Sequence, residues 1–142
     1  MDTIEYFYSA HSAFAYLGSA RLMEIAEAAG RTIVHRPVDL LRVMVESGAG
    51  STRKRGDRHR AYYFGREIER WAQWRNAPVV TGMPTFHQND TALCNGMLIA
   101  GLQQGLDIGP LAHAMLEGVR EGKLFIRNPN DNRRICRSQS FC

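Results

Sequence analysis

The stretch that decides the fold is YFYSAHSAFAYL, residues 6–17, where a strand pattern changes into a helix pattern. Residues 3–8 are rich in β-branched and aromatic side chains, which is typical of a strand. From Phe14 to Ala29, apolar side chains recur at helical spacing, and Gly30 follows as a helix stop. The sequence therefore predicts a strand that leads directly into a helix, with serine and histidine at the junction.

A second β-rich run covers residues 32–38, so that strand, helix and strand follow one another within 40 residues. Such a βαβ unit implies parallel strands with a right-handed crossover. The rest of the chain is mostly helical. We predict helices at residues 40–46, 59–75, 91–104 and 110–121. Asp90 and Asp107 lie near the starts of the last two, as caps or as partners of the helix dipole. One face of the longest helix is lined by Tyr63, Ile68, Trp71 and Ala72.

The charge of the chain is unevenly distributed. The whole sequence has 18 basic and 14 acidic residues, a formal charge of +4, but residues 120–142 contain six of the basic and two of the acidic ones. Residues 1–119 are thus balanced. Because the basic excess lies in the tail, we expect no nucleic-acid partner. The tail also lacks periodicity and is predicted to be disordered.

Membrane, disulfide and metal signals are weak. No run of about 18 apolar residues is present, and the N-terminus begins with acidic residues, so we expect a cytoplasmic protein with no membrane partner. Cys94, Cys136 and Cys142 form an odd set without a C-x-x-C pair. We therefore expect reduced thiols and no metal site.

The strand-to-helix junction is the most informative candidate site. The first turn of a helix presents unpaired N–H groups and a positive dipole end, which stabilise an anion such as a thiolate. Ser12 is placed to donate a hydrogen bond to such an anion. Ser12 and Ser9 are also ordinary N-cap residues, so a purely structural role stays open for both.

Three stretches resemble one known family: residues 7–17, residues 37–40 (PVDL) and residues 67–71 (EIERW), together with the connector 84–95. In order and spacing they are similar to the 2-hydroxychromene-2-carboxylate isomerases, a branch of the DsbA-like thioredoxin superfamily related to kappa-class glutathione transferases. The resemblance runs from Thr3 to about Val119. It implies an α/β fold, a thioredoxin-like βαβ unit (1–40) with an all-helical insertion (41–121) and an atypical basic tail (122–142).

The resemblance also implies a function. The family uses glutathione as its cofactor, and its S-P-x-S-Y-L pattern puts the catalytic and glutathione-binding serine on Ser12, with Ala13 in place of proline. Ser9 is the alternative, since Ser9-Ala10-His11-Ser12 resembles a C-P-H-C redox motif with both cysteines replaced. The implied reaction is isomerisation of 2-hydroxychromene-2-carboxylate or a similar aromatic intermediate, by thiolate addition, ring opening and elimination.

Substrate recognition in the family comes from the helical insertion. Lys54 and Arg55 fall in the loop that contacts substrate, where they are candidates for binding the carboxylate, although such a basic run is also typical of a solvated loop. Met44 stands where some members have a basic residue. His11 is a candidate proton relay, although a lone histidine is more often structural or exposed. Trp71 and Trp74 are expected in the core rather than in a pocket wall.

The resemblance does not extend to the second half of the thioredoxin fold, and we expect its C-terminal ββα part to be missing here. Two alternatives to the isomerase therefore stay open. One is a truncated, non-catalytic remnant, left by a frameshift or premature end, whose unpaired sheet edge favours association, a homodimer included. The other is a kappa-like glutathione transferase.

Overall fold

The computed structural model of the chain describes residues 2–50, 55–80, 82, 84, 87 and 91–120. Strand β1 (Thr3–Tyr8) leads into helix α1 (Ala13–Ala28), which is followed by strand β2 (Thr32–Pro37). The two strands are parallel neighbours, with Thr3 opposite Thr32 and Tyr8 opposite Pro37. The predicted βαβ unit and its parallel pairing are thus confirmed within about one residue at each boundary.

Helix α1 ends as the glycine signal predicts. Gly30 has φ of +62°, the left-handed conformation that glycine adopts without a Cβ penalty. Its N–H donates to the Glu27 carbonyl at 2.9 Å, and the N–H of Arg31 donates to the Ala26 carbonyl at 2.8 Å. This pair of bonds is the Schellman arrangement, which turns the chain sharply toward β2.

The remaining described elements are helical: α2 (Leu40–Glu46), α3 (Asp57–Arg60), a π-helical segment (Ala61–Arg66), α4 (Glu67–Arg75), α5 (Ala92–Gln103) and α6 (Gly109–Arg120). The helix predicted from His59 begins two residues earlier, at Asp57. The π segment was not predicted. Asp107 accepts a hydrogen bond from the Gly109 N–H at 3.0 Å, so its carboxylate pairs with a backbone N–H at the start of α6. Asp90 lies outside the described residues.

One face of the sheet is covered by helices. Ile4, Tyr6 and Tyr8 alternate with exposed neighbours along β1, and the inward-facing β2 residues Ile33 and His35 are their partners in register. Helices α1 and α6 pack together on this side. The opposite face exposes Phe7 and an ion pair between Glu5 and Arg36 at 3.0 Å. The core therefore lies on one side of the two-stranded sheet.

The core takes its buried apolar side chains from β1, α1, α4, α5 and α6, whereas β2, α2 and α3 contribute none to it. Among the described residues, the largest completely buried side chains are Leu98 of α5 and Leu116 of α6. Helix α4 contributes Ile68 and Ala72, as predicted for its buried face. The prediction was wrong for Trp71 and Trp74, which are 44% and 80% exposed, because α4 turns only one narrow edge toward the core.

The predicted division into units at residues 40 and 121 stays a prediction, and the tail 122–142 lies outside the described residues.

Candidate active site

The junction between β1 and α1 has the geometry of a helix cap. Ser12 is in an extended conformation, and its Oγ accepts a hydrogen bond from the N–H of Ala15 at 3.3 Å. Its carbonyl accepts the first helical bond from Tyr16 at 3.0 Å. The hydroxyl oxygen acts as an acceptor in the cap, and no acceptor in the described part of the chain takes its hydrogen, so this hydrogen can be donated to a ligand. The half-buried Ser12 side chain is thus oriented at the positive end of α1.

Ser9, the alternative serine, has a different environment. It is buried, and its Oγ lies 3.0 Å from Nδ1 of His11. The Ser9 carbonyl accepts a hydrogen bond from the Ser12 N–H at 3.0 Å, which closes the turn between the two serines. Ser9 therefore stabilises the turn between β1 and α1 from a buried position, whereas Ser12 lies at the N-terminus of α1.

His11 lies between these serines and is half-buried. Its ring packs against that of His87 with centroids 4.8 Å apart. Burial lowers the pKa of His11, and the negative charge of Asp39 partly opposes this change. Because its pKa is lowered, His11 is a neutral imidazole at pH 7, which is the form able to accept a proton.

The end of β2 meets the same edge of the sheet. The N–H of Val38 donates to the Tyr8 carbonyl at 2.8 Å, and the Asp39 carboxylate caps α2 by accepting from two backbone N–H groups at 3.1 and 3.2 Å. Asn95 of α5 donates from Nδ2 to the Val38 carbonyl at 3.3 Å. The junction therefore lies at the carboxyl ends of two parallel strands, where ligands of α/β folds commonly bind.

The predicted substrate residues are only partly within the described chain. Arg55 is half-buried at the bend before α3, and its guanidinium carbon lies 5.7 Å from the centre of the Tyr63 ring. Its Nη1 is 3.4 Å from Nε2 of His59. Lys54 lies outside the described residues. Met44 is half-buried in α2.

A second polar group, which sequence reasoning missed, lies beneath the sheet. His35 is 7% exposed with Nδ1 3.3 Å from the Tyr8 hydroxyl, and Ser19 Oγ is 2.7 Å from Nδ1 of His113. Burial raises the pKa of Tyr6 to about 12. Burial also raises the pKa of Tyr8, and the electrostatic effect of Tyr6 adds to this. The pKa of His35 is lowered by burial, which the negative charge of Asp107 opposes only in part. These residues are too far apart in sequence for spacing to reveal them.

The cavity beside this group is lined by nine residues, among them Tyr6, Ser19, His35 and His113, and none of residues 9–12 is one of them. It is therefore separate from the junction. No group of metal-binding side chains is found within the described ranges. No helix in those ranges is long and apolar enough to cross a membrane.

A parallel βαβ unit with its candidate site at the N-terminus of α1, continued by helices that pack back onto it, defines a thioredoxin-like α/β protein. The family model of the DSBA-like thioredoxin domain matches residues 3–121. The chain therefore belongs to the DSBA-like thioredoxin family.

Two relatives share one name. The chain is 30% identical over 77 residues to the 2-hydroxychromene-2-carboxylate isomerase of Pseudomonas putida, a match that covers 54% of this chain and 38% of the length of that relative. The fold of the present chain is similar to that of a solved structure of selenomethionine 2-hydroxychromene-2-carboxylate isomerase, with a TM-score of 0.50 and 19% sequence identity. The match covers 80% of this chain and 70% of the other. These findings confirm the resemblance and the α/β thioredoxin-like fold.

Proposed function

We infer that the chain belongs functionally with the glutathione-dependent isomerases that act on 2-hydroxychromene-2-carboxylate or a similar aromatic carboxylate. The observation that supports this best is the Ser12 hydroxyl at the N-terminus of α1, with its oxygen used in the cap and its hydrogen available. The named relative, an isomerase, supports the same reaction class.

The residues at the junction fit the sulfur end of glutathione. Ser12 donates one hydrogen bond to a thiolate, and the unpaired N–H groups and dipole of α1 add favourable partial charge. When bound, glutathione supplies a thiolate that adds to the conjugated ring and is eliminated unchanged after the ring has opened and a bond has rotated. Ser12 lowers the energy of the charged sulfur and keeps it in one position.

Proton transfer is assigned to His11. The thiol of glutathione must lose a proton, and neither the Ser12 hydroxyl nor a helix dipole accepts one. His11 precedes Ser12 in the chain and is neutral at pH 7, because burial lowers its pKa. It takes the thiol proton and gives it to the ring oxygen, which becomes the phenol as the ring opens. The 2-hydroxyl of the substrate loses its proton as it becomes the ketone, and His11 returns this proton to the sulfur on elimination, so that the protein and glutathione both end unchanged.

The substrate carboxylate is assigned to Arg55, with Lys54 as a second candidate. A guanidinium forms a strong, oriented hydrogen-bonded pair with a carboxylate. Asp57, two residues beyond Arg55, pairs with Arg60 instead, and no carboxylate in the described part of the chain forms an ion pair with Arg55. Arg55 therefore has donor capacity for an external anion.

The test is an absorbance assay of 2-hydroxychromene-2-carboxylate isomerisation with and without glutathione, using the full 142-residue chain. Ser12→Ala is expected to lower the glutathione-dependent rate about 100-fold, the scale of removing one preorganised donor. Ser12→Thr keeps the hydroxyl and should keep most of the rate. Ser47→Ala, at the exposed C-terminal cap of α2, is the matched control and should not change it.

The outcomes separate the alternatives. An undiminished rate in Ser12→Ala would show that the role given to Ser12 is wrong. Accumulation of a stable glutathione conjugate without isomer would indicate a transferase of the kappa kind. Absence of any glutathione-dependent rate from the folded protein would overturn the proposed function and leave the non-catalytic alternative.

A further inference from the structure

Two histidine rings meet beside the strand-to-helix junction. His11 lies in the turn between β1 and α1, and His87 lies in the connector between α4 and α5. Their ring centroids are 4.8 Å apart, with the ring planes tilted by 54°, so the two rings are in contact. Both residues are half-buried. We call them the histidine pair; His11 has a role in the proposed function, whereas His87 has none so far.

A turn in the connector places His87 at this position. The His87 N–H donates to the Pro84 carbonyl at 3.0 Å, and Pro84 is itself buried. The backbone that carries the second ring is therefore anchored by a hydrogen bond. The contact brings a second titratable group to the junction from a part of the chain that is distant in sequence.

The contact with Ser9 decides which nitrogen of His11 can accept a proton. Nδ1 of His11 lies 3.0 Å from the Ser9 Oγ. When Nδ1–H donates to this oxygen, the lone pair of the neutral ring lies on Nε2. Nε2 has no hydrogen-bond partner among the residues that the structure describes. The imidazole is thus held by Ser9 at one nitrogen and by the His87 ring at its side, with Nε2 left for proton transfer.

Two neighbouring groups oppose each other in their effect on His11. In the described part of the chain, the titratable groups that face it are Asp39, which follows β2, and His87. The Asp39 carboxylate favours a protonated His11, whereas a protonated His87 disfavours it, because two imidazolium rings in contact repel each other. The charge of His87 therefore changes how readily His11 takes a proton.

We propose that His87 is a positioning residue for His11: its ring holds the imidazole in place, and the pair carries one proton at a time, with the first proton on His87. This rests on the proposed function, in which His11 receives the thiol proton, and adds a residue to it. At a pH at which a lone histidine is charged, His11 thus stays uncharged and able to accept a proton. The same repulsion favours release of that proton to the ring oxygen.

The test is histidine titration by NMR on the full 142-residue chain, without glutathione or substrate. The sequence has five histidines, so each resonance is assigned by single replacement. His87→Phe keeps a ring beside His11 and removes the second charge. The midpoint of the His11 titration should rise by about one pH unit in this variant. His87→Gln removes the charge together with the ring and should raise the midpoint as well.

Two further variants serve as controls. His59 is exposed on α3 and stacks on Tyr63, so His59→Gln is the matched control and should leave the His11 midpoint unchanged. Asp39→Asn removes the negative charge that opposes the effect of burial on the pKa of His11. It should therefore move the His11 midpoint to lower pH, opposite to the effect of His87→Phe.

An unchanged His11 midpoint in folded His87→Phe would overturn the proposal, and so would a rise that His59→Gln shares. If circular dichroism shows that His87→Phe is unfolded, His87→Gln decides by the same criterion. The wild-type protein gives a check without any variant: the His11 resonance should show two inflections with pH, one for each ring of the pair. A single inflection would also overturn the proposal.

The isomerase assay distinguishes this proposal from the proposed function. The pH dependence of kcat/KM reports ionisations of the free enzyme, so its acid limb should follow the His11 midpoint in wild type and in His87→Phe. A shifted NMR midpoint with an unshifted acid limb would count against His11 as the base in the proposed function, while the histidine pair itself would stand.

Discussion

Lowering the pH from 7.5 to 5.5 is expected to destabilise the protein through His35. This histidine is buried with its ring edge-on to the stacked rings of Tyr6 and Tyr8, whose centroids are 6.0 and 5.7 Å away, and its Nδ1 lies 3.3 Å from the Tyr8 hydroxyl. Burial lowers the pKa of His35, and the charge of Asp107 opposes that change only in part. His35 is therefore protonated at a lower pH in the folded protein than in the unfolded chain.

The direction and size of the effect follow from proton linkage. An unfolded histidine titrates near pH 6.5, so between the lowered folded pKa and about 6.5 the unfolded state binds more protons. The contribution of His35 to the free energy of unfolding is thus complete above pH 6.5 and is lost as the pH falls toward the folded pKa. One pH unit below 6.5, the loss is at most about 1.4 kcal/mol.

Urea unfolding of wild type and His35→Gln at both pH values measures this contribution. The glutamine removes the titration and keeps a polar partner near Tyr8, and effects of the carboxylates cancel when the two proteins are compared. We expect His35→Gln to be less stable than wild type at pH 7.5 but to lose up to about 1.4 kcal/mol less on acidification. An equal loss in both proteins would refute the reasoning. His11 should act in the same direction, because burial lowers its pKa as well.

Three further predictions concern packing and capping, and each is measured by chemical denaturation. Gly101→Ala would place a Cβ 2.7 Å from the buried side chain of Ile108 and should lower the free energy of unfolding by about 1–3 kcal/mol. Gly96→Ala lies in the same helix, where its Cβ meets nothing within 4 Å, and should raise the free energy of unfolding by about 0.5–1 kcal/mol. Equal effects of the two substitutions would contradict this packing of α5. Leu98→Ala removes a side chain with 0% exposure and should cost roughly 2–5 kcal/mol; a cost below about 1 kcal/mol would show that the site is not core. Asp39→Ala removes the cap of α2 and should cost about 1 kcal/mol, a value that an isosteric Asp39→Asn should largely restore.

The elements that sequence reasoning located are those with strong local signals. The βαβ unit follows from a change of period between residues 6 and 17, from a serine at the start of α1 and from Gly30 at its end. Each of these acts through neighbouring backbone groups, as the cap at Ser12 and the left-handed Gly30 show. Local chemistry was therefore sufficient to place the candidate site at the N-terminus of α1.

The features that sequence reasoning missed depend on contacts between distant segments or on small differences in helix geometry. A π turn and an α turn use the same residue types and differ only in which carbonyl each N–H reaches, so composition does not distinguish them. His113 meets Ser19 across 94 positions, and no spacing rule anticipates that pair. Trp71 and Trp74 were expected in the core because of their hydrophobicity, but their positions on α4 leave both exposed.

The π segment also bears on how this chain tolerates a change in length. Removing one residue from an α-helix rotates everything beyond it by about 100°, which would move Ile68 and Ala72 out of the core. A π turn already holds one residue more than an α turn, so a single deletion within Ala61–Arg66 would convert the segment to α-helix and leave the following side chains in their present phase. At this point along Asp57–Arg75, a residue can therefore be removed without repacking the core.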